Sequence, residues 1–400
     1  MTPETERDES DGGHDGTLAI DPALAIEARA VLERAWRSDP AGGFCVPNPT
    51  TYPWQWLWDS CFHSVVWGHL GDERAIEELT SALSAQDGEG FVPHLRYGSG
   101  PQPHMALWGR ADASSITQPP MYGHAVAELA RLGAAPGGEL VDRAERGLRF
   151  LLERRRRSAS GLVELCHPWE SGCDDSPRWD DVVAGGRTPE AWFALKGDLV
   201  RRIERTNGGA PLHNSDFAVG SVGFSALVAW NALELQSVTG DARLGQAAAE
   251  LIEAIDTRWD PLRVTWVDDG LTAAGSGRIR TLDALLPVLL GLRPEALSQL
   301  IEPEAFGATF GPRGVHRHEP TYEPITYWRG PAWPQLTYLL WVAATRSGST
   351  TVADALAASL AAGVASSGFA EYWEPDSGRP LGAVPQTWAT LVLVTCCRHT

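Results

Sequence analysis

Residues 216–259 read DFAVGSVGFSALVAWNALELQSVTGDARLGQAAAELIEAIDTRW, and this stretch sets the pattern for the chain. It reads as two helices, Asp216–Thr239 and Asp241–Trp259, folded back on each other across Gly240. Glycine closes a helix because it takes a left-handed backbone without strain. Working toward the C-terminus, a hairpin is expected around Val264–Gly270, then helices at Leu282–Leu292, Pro294–Ile301, Pro331–Arg346, Thr351–Ala365 and Gln386–Cys396. Toward the N-terminus, helices are expected over Thr188–Arg205, Gly138–Arg157, Pro119–Leu132, Asp72–Gln86, from about Asp59 to Gly71, and over Ala23–Arg37. The last of these is opened by Asp21-Pro22, a capping acid followed by proline in the first turn. Sequential helical hairpins with hardly a convincing strand predict an all-α chain. The longer irregular loops recur between the helix pairs and hold most of the Trp, His, acid and amide residues. A ring of hairpins with its functional loops gathered at one end has that layout.

The most chemical of these loops is Cys166–Asp181, CHPWESGCDDSPRWDD. It carries Glu170, Asp174, Asp175, Asp180 and Asp181 together with Trp169 and Trp179. No helical or alternating period runs through it, and Gly172 and Pro177 mark fixed turns. Acids beside indole walls suit a carboxyl whose pKa is raised for proton donation; the bland reading is a solvated acidic loop. Four other loops stand out. In Tyr52–Ser60, YPWQWLWDS, Asp59 follows a cluster of aromatics and either clamps sugar hydroxyls or caps the next helix. In Ser115–Pro120, SITQPP, Gln118 precedes a helix and either offers its amide to a ligand or sits in a plain capping segment. In Thr326–Pro334, TYWRGPAWP, Arg329 either reaches a ligand or forms an architectural ion pair. In Phe369–Ala383, FAEYWEPDSGRPLGA, Glu371 is hemmed by Phe369, Tyr372 and Trp373 and is the better second carboxyl, since Glu374 and Asp376 sit in a solvent-type turn. Glycoside hydrolysis needs two such carboxyls, and only the fold brings these loops together.

Composition narrows the classes. A net charge of -18 argues against nucleic acid and anionic membrane surfaces as partners. Seventeen tryptophans against ten phenylalanines suit stacking on sugar C–H faces as well as core packing. The acidic, Gly-rich start has no apolar run, so residues 1–18 are expected to be a disordered tail rather than a targeting segment, and residues 19–400 one domain. Six scattered cysteines without a CxxC point to reduced thiols in a cytoplasmic protein. No metal or cofactor is expected; Cys166, Cys173 and His167 are too few soft ligands for zinc. Oligomerisation is open but not indicated.

In series, WQWLWDS, SITQPP, HPWESGCDDSPRW, YWRGPAWP and EYWEPDSGRPLGA resemble the (α/α)6-barrel glycosidases of glycoside hydrolase family 63, above all the compact bacterial glycerate-glycoside hydrolases. The likeness runs from about residue 24 to the C-terminus. It implies an inverting hydrolase of a small α-glucoside or α-mannoside, with Asp174 as general acid and Glu371 as general base. It further implies that Tyr52, Trp58, Asp59 and Gln118 hold the sugar at the −1 position, with Trp169, Trp328, Arg329, Gly330 and Trp333 completing the pocket. Two departures stand out. Asp175 occupies a position where the family string has Asn, which adds a charge beside Asp174. Pro385-Gln386-Thr387-Trp388 replaces an aromatic-Ser-Trp string. Two other classes are weighed against a hydrolase. A catalytically silent sugar binder on the same scaffold would lack one of the two acids, and both are present. A magnesium-dependent cyclase using DDSPRWDD would need a second acidic motif on a facing helix, and none is found.

Overall fold

The computed structural model describes residues 18–19, 21–98, 102–182 and 188–399. The expected N-terminal tail lies almost wholly outside them; Leu18–Ala19 pair antiparallel with Arg398–His399. The helices are α1 (Pro22–Ala35), α2 (Leu57–His69), α3 (Arg74–Ala82), the short α4 (Met105–Trp108), α5 (Tyr122–Arg131), α6 (Gly138–Arg149), α7 (Pro189–Arg202), α8 (Val222–Thr239), α9 (Ala242–Asp256), α10 (Pro334–Arg346), α11 (Thr350–Ser367) and α12 (Val392–Thr395). Tight 3-10 segments add Leu282–Leu290, Pro294–Leu300 and Thr387–Leu391.

These elements form six hairpins: α2 with α3, α5 with α6, α8 with α9, Leu282–Leu290 with Pro294–Leu300, α10 with α11, and Thr387–Leu391 with α12 against α1. The first member of each hairpin touches the first member of the next, and Thr387–Leu391 returns to α2, so an inner ring closes inside an outer one. That is an (α/α)6 barrel, as the resemblance implied. Burial follows the two rings. Inner α8 is buried without a break from Val222 to Ala232, whereas outer α9 buries Leu244, Ala248, Leu251 and Ile255, one helical face. No helix among the described residues is long and apolar enough to cross a membrane.

Several boundaries differ from the sequence reading, each for a local reason. The helix expected from Asp216 begins at Val222, because Ser221 caps it by accepting the Phe224 N–H. The residues before it form a strand, Val219–Gly220, between Glu164–Leu165 and Asp269–Gly270. Asp269–Gly270 therefore leaves the expected hairpin, which closes earlier, between Trp259–Asp260 and Thr265–Trp266. Leu282–Leu290 is 3-10 rather than α; Pro287 inside it has no N–H to give. Residues 331–333 run extended into α10, with Ala332 and Trp373 exchanging backbone hydrogen bonds that tie two of the chemical loops together. Asp59 does not cap its helix. α2 starts at Leu57, and Asp59 lies in its first turn.

Candidate active site

The loops that precede the inner helices meet over one end of the barrel and line an open cavity. Its walls include Tyr52, Trp56, Trp58, Asp59, Gln118, Gly172, Asp174, Tyr327, Trp328, Glu371, Gln386 and Trp388. Of the residues singled out in the sequence, Asp174, Glu371, Tyr52, Trp58, Asp59, Gln118 and Trp328 stand on this one cavity. Trp169 lines an adjoining hollow that shares Trp56, Gln118 and Asp174 with the first. Arg329, Gly330 and Trp333 stand behind the wall. Arg329 gives both terminal nitrogens to Asp180 at 2.9 and 2.7 Å. Trp333 is fully buried, stacked between Trp328 at 3.6 Å and Tyr372 at 4.4 Å. Trp328 itself has φ 58, a left-handed backbone that this stack and the turn around it hold in place.

The acidic loop sorts its carboxylates. Glu170 is buried on Arg155 and also accepts the backbone N–H of Thr117 and Cys166. Asp175 accepts Lys196 Nζ at 3.0 Å and Trp192 Nε1 at 2.6 Å. Asp180 holds Arg329, and Asp181 accepts the Ser276 N–H. Asp174 is the one of the five that faces the cavity. The far end of the loop is anchored by Arg178, whose Nη1 lies 2.8 and 2.7 Å from the two oxygens of Asp268 and whose Nη2 meets Asp283. Gly172 explains the glycine in the ESGC string. Its φ is 74°, and a Cβ there would come within 2.6 Å of the Trp58 indole.

Burial pushes the Asp174 carboxyl up to about 7; the Lys196 ammonium pulls it down, Asp175 and Glu371 push it up, and the Tyr327 hydroxyl pulls it down. The charge expected from Asp175 therefore acts in the expected direction, and Lys196, which Asp175 itself holds, opposes it. Glu371 is 2% exposed, and burial raises it to about 6 against hydrogen bonds from the Ala383 N–H and the Tyr52 hydroxyl. Those bonds measure 2.9 and 3.0 Å, and the Trp388 indole donates to the Glu371 carbonyl at 2.9 Å. Gly382 makes room for this carboxylate: a Cβ there would meet Glu371 Oε2 at 2.4 Å.

The remaining polar atoms of the wall point to a hydroxyl-rich occupant. Asp59 Oδ1, Gln386 Oε1, Trp56 Nε1 and Trp328 Nε1 are buried and have no hydrogen-bond partner among the described residues. Unpaired buried acceptors and donors cost free energy unless a ligand completes them. Two acceptors and two donors beside indole faces suit a sugar ring, which carries both kinds of group and apolar C–H faces. Gln386 and Tyr327 were missed in the sequence. Gln386 sits in the string that departs from the family pattern, and Tyr327 lies within TYWRGPAWP beside residues that were named. Among the described residues, one group of three side chains lies within metal-ligand reach, Cys45, His63 and Glu78, with ligand atoms within 4.8 Å of one another. It lies outside the cavity and is already occupied by protein contacts. Glu78 accepts from the Cys45 N–H and the Ser60 hydroxyl, and His63 bridges Glu78 and Thr387.

Against known proteins, residues 52–389 match the family described as mannosylglycerate hydrolase MGH1-like glycoside hydrolase domain. A glucosylglycerate hydrolase of Mycolicibacterium hassiacum is 28% identical, over 93% of this chain and 97% of its own length. A mannosylglycerate hydrolase of Thermus thermophilus is 28% identical, over 91% of this chain and 98% of its own. In three dimensions the chain resembles a GH63 mannosylglycerate hydrolase of Thermus thermophilus crystallised with Tris and D-glycerate. The TM-score is 0.79 at 26% identity, covering 93% of this chain and 99% of that one.

Proposed function

The chain belongs to the MGH1-like glycoside hydrolases of family 63, and from that premise we propose that it hydrolyses a small α-glucoside or α-mannoside with inversion, using Asp174 and Glu371. One observation carries the reading: two carboxyls from loops far apart in sequence meet on one cavity, and burial raises both. Glu371, ionised, takes a proton from water, whose oxygen attacks the anomeric carbon. Asp174, protonated, gives its proton to the glycosidic oxygen as the C–O bond breaks through an oxocarbenium-like transition state. The products are a hexose of opposite anomeric configuration and the free alcohol. Proton exchange with solvent restores both carboxyls.

Asp59, Gln118, Tyr52 and Gln386 hold the hydroxyls of the −1 sugar between Trp58 and Trp328. Trp169 stands on the leaving-group side, where the adjoining hollow meets Asp174. Arg329, Gly330 and Trp333 act through the wall they support. Cys45, Cys61, Cys166, Cys173 and Cys397 stand as free thiols, which supports placing the enzyme in the reducing cytoplasm. Glucosylglycerate and mannosylglycerate, named by the relatives, are the first substrates to offer, followed by neutral α-linked disaccharides. Proton NMR of the nascent sugar is expected to show the β-anomer first. Asp174→Asn and Glu371→Gln are each expected to lose at least about a thousandfold in kcat with the fold intact. An α-anomer as first product, or either variant at full rate, sinks the assignment.

A further inference from the structure

A second cavity, of about 220 Å³, lies where α2, α5, α10 and α12 end, the opposite end of the barrel from the catalytic loops. None of its lining residues lines the catalytic cavity. One wall is a chain of ion pairs. Buried Glu234, from α8, accepts Arg346 Nη1 at 2.7 Å and Nη2 at 2.9 Å, Arg131 Nη2 at 2.8 Å, and stands 3.0 Å from His124 Nδ1. Arg131 Nε continues the chain to Glu128 at 2.9 Å, and Glu128 stands 3.0 Å from His69 Nε2. Their partners hold both carboxyls below the ordinary range, despite burial. The lining also holds Trp341, stacked on Tyr338 at 6.2 Å, and the apolar Val342 and Val394.

The charges in this wall select the ligand. Two guanidiniums stand against two carboxylates, with His69 and His124 beside the same carboxylates, so the ionised groups of this wall are already paired with one another. An added anion would also face the negative ends of the helices that terminate here. Each guanidinium carries five N–H donors, and the Arg131 and Arg346 side chains remain 42% and 40% exposed after pairing. Rigidly paired donors and acceptors sharing one cavity with an indole match vicinal hydroxyls on a ring with an apolar side.

We propose that this cavity is a second binding site, for a neutral hexose-like polyol, at the end of the barrel remote from the chemistry. The assignment does not depend on which residues are catalytic. D-glucose and D-mannose are the probes, followed by saturation-transfer NMR on Asp59→Ala, which removes a clamp of the catalytic cavity. Thr345 is exposed at the mouth, so Thr345→Phe fills the entrance without touching the core. Sugar binding is expected to persist in Asp59→Ala and to weaken about tenfold when Thr345→Phe is added, with Trp341→Ala giving the same loss. Thermal unfolding of each variant checks that the barrel is intact. Binding that vanishes in Asp59→Ala alone, or that Thr345→Phe leaves undiminished, overturns the proposal. Wild-type crystals soaked in D-glucose locate the sugar directly: density against Trp341 supports the site, and density confined to the catalytic cavity, or none, rejects it.

Discussion

The role proposed for Asp174 rests on its neighbours. In the proposed mechanism Glu371, raised by burial to about 6, must be ionised to act as base, and Asp174, raised by burial to about 7, must be protonated to act as acid. Activity is therefore expected to fall below the first value and above the second, giving a narrow bell in kcat/KM between pH 6 and 7 whose limbs belong to the interacting pair. Lys196 is the cation that holds Asp174 down, so Lys196→Met moves the alkaline limb upward. A limb that stays put, or moves down, excludes that coupling. The same shift bears on stability. A carboxyl whose folded value lies above its unfolded value, about 3.9, loses stability as pH rises through that interval, and the penalty is complete above the folded value. Asp174→Asn removes the ionisation, so its gain in Tm over wild type is expected to be larger at pH 8 than at pH 5. Five acids in sixteen residues were legible as a candidate acid loop. Residue chemistry alone did not choose among them; the resemblance pointed to Asp174, and in the structure the other four are held by Arg155, Lys196, Arg329 and Ser276, which come from other parts of the chain.

Among the elements, the catalytic loops are braced against one another rather than against solvent. Glu170 is the clearest brace. Its two oxygens take Arg155, the Cys166 N–H and the Thr117 N–H, so one side chain fixes the acid loop to the segment carrying Gln118. Glu170→Ala leaves the Arg155 guanidinium buried and uncompensated, a loss of about 3–5 kcal/mol, to be read as a lower urea midpoint at pH 7. A midpoint unchanged from wild type rules the brace out. Helix existence was legible almost throughout, since capping and glycine stops are local. Helix starts were less so. Asp216–Ser221 looked helical and became strand and cap because Val219–Gly220 is recruited by two distant strands, an event no local period encodes. Pro287 carried its own warning, a missing donor inside an apolar run.

For the whole molecule, the net charge of -18 acts at a distance that salt controls. The Debye length falls from about 30 Å at 0.01 M salt to about 8 Å at 0.15 M. A neutral α-glycoside is expected to show kcat/KM flat to within about twofold across that range, whereas a glycerate-bearing one rises with salt as repulsion is screened. A neutral substrate with strong salt dependence would contradict a purely electrostatic origin. The barrel also separates its two ends. Inner helices begin beneath the catalytic loops and end at the second cavity, so each end can change its side chains without disturbing the buried rows between.

What the sequence determined by itself was the run of helical hairpins, the five chemical strings and the family they resemble, because periodicity, caps and turn residues act over a few positions. What only the tertiary structure decided was selection. It left Asp174 alone of the five acids on the cavity, sent Arg329 to Asp180 rather than into the cavity, and gave Gln386 and Asp59 oxygens with no partner among the described residues. The physical reason is that a side chain's pKa, its burial and its unmet hydrogen bonds are set by neighbours that the closing of the ring supplies, and those neighbours lie from 15 to 319 residues away along the chain.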